Sequence, residues 1–183
     1  MVARAYTVAF QGIDARIVEV QCALSAGMPA FSIVGLPDKA VSEARERVRA
    51  ALGAMAIALP SKRITINLSP ADLPKEGGRF DLAIALGLLA ASGQIPATAL
   101  QDCECIGELA LSGELRPVQG VLPVALACRE AGRRLILPRA NATEAALVDG
   151  VELIAADPLL ALCAHLRGEE TLPPLPAATP PAP

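Results

Sequence analysis

At 183 residues the chain has the length of one domain, and its 53% hydrophobic content, nearly all Ala, Leu, Val and Ile, suits aliphatic helices packed on aliphatic strands. Three Phe, one Tyr and no Trp leave few rings for stacking on bases, and a net charge of −3 gives no whole-chain attraction to nucleic acid or acidic lipid, so any basic patch must be local. Arg4, Asp14, Arg16 and Glu19 exclude a secretory leader, and the longest uncharged stretch, 82–101, is broken by Gly87, Gly93 and Pro96, so a cytoplasmic protein without membrane contact is expected.

Alternating apolar residues in 5–10 and 16–24 predict two strands joined as a hairpin through Gln11-Gly12-Ile13-Asp14, and 31–34 predicts a third. Pro37-Asp38 offers a cap, after which Val41, Ala44, Val48, Leu52 and Met55 recur at helical spacing to about residue 57. A strand at 62–68 leads into the loop 69–80, and 81–91 follows as a helix apolar on almost every side, which places it centrally. Further on, the pattern predicts a strand at 105–111, a turn at 112–114, an extended piece at 115–118 and a helix at 122–131 ended by Gly132. A strand at 135–137, a short helix at 141–148, a strand at 151–155 and a helix at 158–166 opened by Asp157 complete the alternation. The proline-rich stretch 168–183 reads as an extended tail or linker, and a chain ending inside one looks cut from something longer.

The loop 69–80 has the shape of an active site without its chemistry. Gly77 and Gly78 permit a tight turn at a helix N-terminus, where free N–H groups favour an anion. Arg79 follows, where a nucleophile or the Lys-Ser/Thr pair of a P-loop would stand. None of Lys39, Lys62 and Lys75 follows a glycine, so no ATP-hydrolysing P-loop is present. The odd number of cysteines (22, 103, 105, 128, 163) and the single His165 support neither a zinc site nor a disulfide framework. Cys103 and Cys105 fall on one face of a strand and read as buried thiols, the alternative being a metal or redox role.

Cations supply the remaining candidates. Arg45, Arg47 and Arg49 are either a solvated helix face with a Glu43–Arg47 pair or a row that follows phosphates or meets another subunit. Lys62-Arg63 and Arg133-Arg134 are similar, weaker sets. Lys75 and Arg79 either pair with Glu76 or Asp81 to fix the loop, or form an anion site with Gly77 and Gly78 at the helix start.

Four long segments, 31–38, 42–49, 67–81 and 107–118, make the chain resemble the N-terminal domain of the ComM/YifB family, magnesium-chelatase-related AAA+ ATPases. The resemblance implies an α/β domain at 1–167 of the Lon-protease-like type (ribosomal-protein-type β-α-β, with mixed sheets and packed helices). It also implies a linker at 168–183 and an AAA+ motor absent from this chain. Lon-type proteases use a Ser-Lys dyad, and in the matching segments Arg79 takes the serine's place and Leu122 the lysine's, so the implied domain is non-catalytic. For the whole protein the resemblance implies a homo-hexameric motor using ATP and Mg²⁺ for DNA branch migration in natural transformation, this domain guiding DNA or serving as scaffold. Alternatives are a ring-assembly module, a chelatase-type subunit fragment and, last, a Ser-Lys peptidase. No cofactor or metal is expected in this chain.

Overall fold

A computed structural model describes residues 2–172. β1 (Val2–Gln11) and β2 (Asp14–Ser25) form the expected hairpin, in register from Val2↔Ala23 to Gln11↔Asp14. Gly12 makes the turn at φ 64°, a left-handed conformation that costs glycine little. β4 (Arg63–Ser69) joins β2 antiparallel, and β3 (Ala30–Val34) joins β4 parallel, giving a mixed sheet in the order β1-β2-β4-β3. Alternation divides its faces: Ala5, Val20, Cys22, Ile64, Ile66 and Leu68 are buried, while Arg4 and Arg63 on the other rows are exposed.

Against the buried rows lies α3 (Asp81–Ala91), all of whose residues are buried, as its unbroken apolar sequence predicts. A second, parallel sheet in the order β5-β8-β9 consists of β5 (Cys103–Cys105), β8 (Arg134–Pro138) and β9 (Leu153–Ala156). Its crossovers carry α4 (Val121–Ala131) and α5 (Ala142–Ala145), and α6 (Leu159–Leu166) follows it. The expected α/β architecture with mixed sheets is therefore present.

Several expected elements divide where a distant partner intervenes. The strand expected at 105–111 is two: β5, and β6 (Glu108–Leu109), which pairs antiparallel with β7 (Leu115–Arg116). Between them the Gly107 amide donates to the Arg79 carbonyl and the Gly107 carbonyl accepts from Leu82, so the glycine loop draws the chain out of the parallel sheet. The helix expected through about 57 breaks at Glu43 into α1 (Lys39–Ser42), capped by Asp38 as predicted, and α2 (Ala44–Ala54). At the other end Ala56 turns left-handed at φ 59° and the Ile57 amide closes on the Leu52 carbonyl at 2.9 Å. Residues 117–118 are not strand; both main-chain polar groups of Val118 bond the Asn141 side chain at 2.9 Å. Asp157 does not cap the last helix with its side chain: Pro158 is the cap residue, and the Asp157 carbonyl accepts from Leu115. Of the expected linker, Glu169 bonds back to Ala164 and the Leu172 amide donates to His165 Nδ1 at 3.1 Å; residues 173–183 lie outside the described residues.

One ion pair ties these parts together. Asp81, with no exposed surface, accepts from Arg47 Nε at 2.6 Å, from a second Arg47 nitrogen at 3.0 Å and from the Leu109 amide at 3.0 Å. Arg47 also donates to the Ala40 carbonyl at 2.7 Å, which satisfies an acceptor freed by the break between α1 and α2. Burial pushes the Asp81 carboxyl up and the Arg47 and Leu109 hydrogen bonds oppose it, while bonding to Asp81 raises Arg47. Removing one partner strands the other charge, so Asp81→Ala and Arg47→Met should each cost about 3–5 kcal/mol in urea unfolding, and joining Arg47→Met with Asp81→Leu should cost less than the two single losses combined.

Candidate functional site

Three lines fix the glycine loop from behind. Gly35 stands at φ 108° where a Cβ would lie 2.1 Å from the Leu68 carbonyl oxygen, so only glycine lets the end of β3 lie this close to β4. The chain then crosses the loop: the Lys75 amide donates to Leu36, the Asp38 amide donates to Lys75, and the Asp38 carboxylate takes both the Val41 amide at 2.7 Å and the Gly77 amide at 3.2 Å. The sequence marks Asp38 as a helix cap; its hold on Gly77, 39 residues away, has no local signal.

Lys75 is not an anion contact. Its side chain is fully buried and its ammonium donates to the Leu68 carbonyl at 3.0 Å and to the Pro70 carbonyl, closing the loop onto β4. Burial lowers its pKa, with Asp72 opposing. Arg47 is likewise removed from the expected arginine row, and the expected Glu43–Arg47 pair is replaced by Arg47–Asp81, because a buried carboxylate binds a guanidinium more strongly than an exposed neighbour does. Asp81 is thereby unavailable to Lys75 and Arg79. Arg133 is taken as well: it pairs with buried Glu104 at 3.5 Å, lies 4.6 Å over the Tyr6 ring and donates to the Cys103 carbonyl at 3.0 Å. Arg134 meets Glu152 at 3.8 Å.

Arg79 has another setting. Its guanidinium lies 4.5 Å over the Phe10 ring and, among the described residues, makes no hydrogen bond or ion pair. Burial lowers its pKa, with Glu76 opposing. Gly120, the left-handed residue before α4, makes room: a Cβ there would stand 3.0 Å from Phe10 and 3.9 Å from an Arg79 nitrogen. Leu122 is the second residue of the same helix, and both it and Phe10 pack against a core cluster that includes Val121, Val124 and Leu135. The two dyad-like positions hold an arginine and a leucine; neither a guanidinium nor an alkyl group can act as a nucleophile with its base. Gly77, Gly78, Arg79, Glu108, Pro117, Val118 and Gln119 line a cleft of about 290 Å³ there. Glu108 closes one wall so tightly that a Cβ on Gly78 would lie 2.9 Å from its carboxyl carbon.

A separate cleft of about 220 Å³ lies beyond α2, where Arg49 and Lys62 face Phe31, Pro60 and Ser61. Arg45, exposed, donates to the Ser42 and Phe31 carbonyls, and Arg63 is exposed beside Lys62. None of these four cations is in an ion pair among the described residues.

All five cysteines are buried, and burial pushes the Cys22 thiol up to about 12 and Cys163 to about 11. Cys103 and Cys105 belong to one core cluster, facing together as the strand alternation requires. Among the described residues no group of three or more His, Cys, Asp or Glu could hold a metal ion, and no helix is long and apolar enough to cross a membrane.

Lys75→Met should leave the Leu68 and Pro70 carbonyls without their donor, at a cost of about 1–3 kcal/mol, and hydrogen exchange should quicken in 69–77 before the rest of the fold.

Comparison with known proteins places this architecture. The family model described as Subunit ChlI of Mg-chelatase matches residues 18–141. The chain is 50% identical over 168 residues to Competence protein ComM of Haemophilus influenzae, covering 92% of this chain and 33% of that protein. It is 46% identical over 167 residues to the uncharacterized protein YifB of Escherichia coli, covering 91% of this chain and 33% of that protein. Lon protease 2 of Bacillus subtilis is 32% identical over 113 residues, 60% of this chain and 20% of the protease, in keeping with a Lon-like α/β domain. The chain spans about a third of the length of ComM and YifB.

Proposed function

Because the chain belongs to the Mg-chelatase-like family of ComM and YifB, we propose that it is a non-catalytic, DNA-guiding domain of an ATP-driven ring motor. The reading rests on one observation above the others: in a chain of net charge −3, Arg49 and Lys62 line one cleft, exposed and in no ion pair among the described residues, and Arg45 and Arg63, on the same two segments, are likewise exposed and unpaired. Neighbouring exposed cations without carboxylate partners make a local positive potential that phosphates complement, and phosphate contacts position a strand without reading its bases. The shortage of exposed aromatic rings agrees with backbone contact rather than base stacking.

The name of ComM, a competence protein, accords with DNA handling during transformation, and for the whole protein the proposal is a homo-hexameric branch-migration motor that takes ATP and Mg²⁺ through its AAA+ domain. This chain would dock on that domain in the cytoplasm and bind neither nucleotide nor metal itself. Arg79 and Leu122 at the dyad-like positions support its being non-catalytic, so purified protein should leave casein intact and take no label from a fluorophosphonate serine probe. A second reading, ring assembly without DNA contact, is favoured by Val34 and Leu36, exposed apolar residues at the end of the edge strand β3.

Fluorescence anisotropy with a labelled single-stranded oligonucleotide across a salt series separates the two. DNA guiding requires log affinity to fall linearly with log salt, with a slope of about 0.7 per phosphate contacted. Arg49→Ala and Lys62→Ala should each weaken binding and reduce that slope by about 0.7, one phosphate contact's share; binding that ignores salt, or none at all, favours assembly.

A further inference from the structure

The cleft beside Arg79 shares no lining residue with the Arg49–Lys62 cleft and has a different chemistry. Its guanidinium lies 4.5 Å over the Phe10 ring, half-buried, with no hydrogen bond or ion pair among the described residues to use its five N–H groups. Asp81, the carboxylate nearest in sequence, is committed to Arg47 and the Leu109 amide. α4 starts alongside at Gly120 without a side-chain cap, so its first amides add to the positive potential. A guanidinium over a ring and without a carboxylate partner presents a planar donor fork suited to bidentate capture of a planar anion.

A second charged lining residue narrows the choice of anion. Glu108 lines the same cleft and would repel a doubly charged phosphate, yet it can accept a hydrogen bond from an N–H. A ligand bearing a planar anion at one end and an amide donor beside it satisfies both walls, and Pro117, Val118 and the flexible amide of Gln119 supply contact between them. At about 290 Å³ the space is at the small end of ligand pockets, enough for a chain end or a single side chain and not for a folded partner.

We infer that this cleft is a peptide-carboxylate site, in which Arg79 takes the carboxylate bidentately and Glu108 accepts from a neighbouring peptide N–H. The carboxylate can come from a chain terminus or from an acidic side chain, and the chemistry of capture is the same. Peptide binding here does not depend on DNA guiding at the other cleft.

Anisotropy of a fluorescein-labelled, Ala/Leu-rich hexapeptide with a free C-terminal carboxylate tests this on the full chain. The expected result is saturable binding that weakens about 10- to 100-fold when the C-terminus is amidated. An amidated peptide carrying one internal Glu serves as the second arm: equal or better binding assigns the side-chain source, and weaker binding assigns the chain terminus. Arg79→Gln, which removes no intramolecular hydrogen bond and should melt like the parent, should abolish binding of the free-carboxylate peptide while leaving oligonucleotide binding intact; Arg49→Ala should do the reverse. Glu108→Gln should weaken the peptide and let inorganic phosphate compete more effectively. Absence of binding by either carboxylate-bearing peptide to folded protein, binding that survives Arg79→Gln, or displacement of the peptide by oligonucleotide at the parent cleft would each overturn the inference.

Discussion

Asp81 carries a charge with no exposed surface, so the surrounding structure must supply it with donors, and it does so from two distant parts of the chain. Arg47 comes from α2, 34 residues earlier, and the Leu109 amide from β6, 28 residues later. Those bonds settle where α2 lies against α3, why β6 leaves the parallel sheet, and which arginine of a basic row faces inward. Such a pair contributes little net stability over apolar residues of the same shape, but it makes alternative packings expensive, because any one of them would strand a charge.

The glycine loop inherits its position from this arrangement. It enters α3 at Asp81, exchanges main-chain hydrogen bonds with Gly107, and is tied behind by Lys75 and Asp38. Lys75 shows how a charged side chain can serve the interior: its ammonium meets main-chain carbonyls and never reaches solvent. With the loop so held, Arg79 alone of its cations lines a cleft, which it shares with Glu108. The loop lies in a domain that is similar to part of ComM and, over a shorter stretch, of Lon protease 2, and it carries Arg79 and neither a serine nor a cysteine at the turn into α3.

The two clefts differ in what surrounds their cations. Arg49 and Lys62 are exposed among short polar and apolar side chains with no acid on the lining, a setting for a screened, sequence-tolerant polyanion. Arg79 is pinned and faces an acid, a setting for one oriented group. Position in the fold, rather than residue type, separates these settings.

Local pattern settled what local physics controls. The hairpin around Gly12, the all-buried α3, the Asp38 cap and the Gly132 stop follow from alternation, unbroken apolarity, a short acceptor side chain and left-handed tolerance, each decided within a few residues. The assignment of Arg79 and Leu122 to dyad-like positions comes from the resemblance to Lon-type proteases and not from local pattern. What sequence spacing could not supply is the partner across space: that Arg47 turns inward while Arg45 and Arg49 stay exposed, that Lys75 is buried, that one run at 103–109 serves two sheets, and that Phe10 lies under Arg79. Helical and strand periods state which residues share a face, but charge pairing and burial depend on what that face meets, and contacts made 28 to 69 residues apart come into being only when the chain is packed.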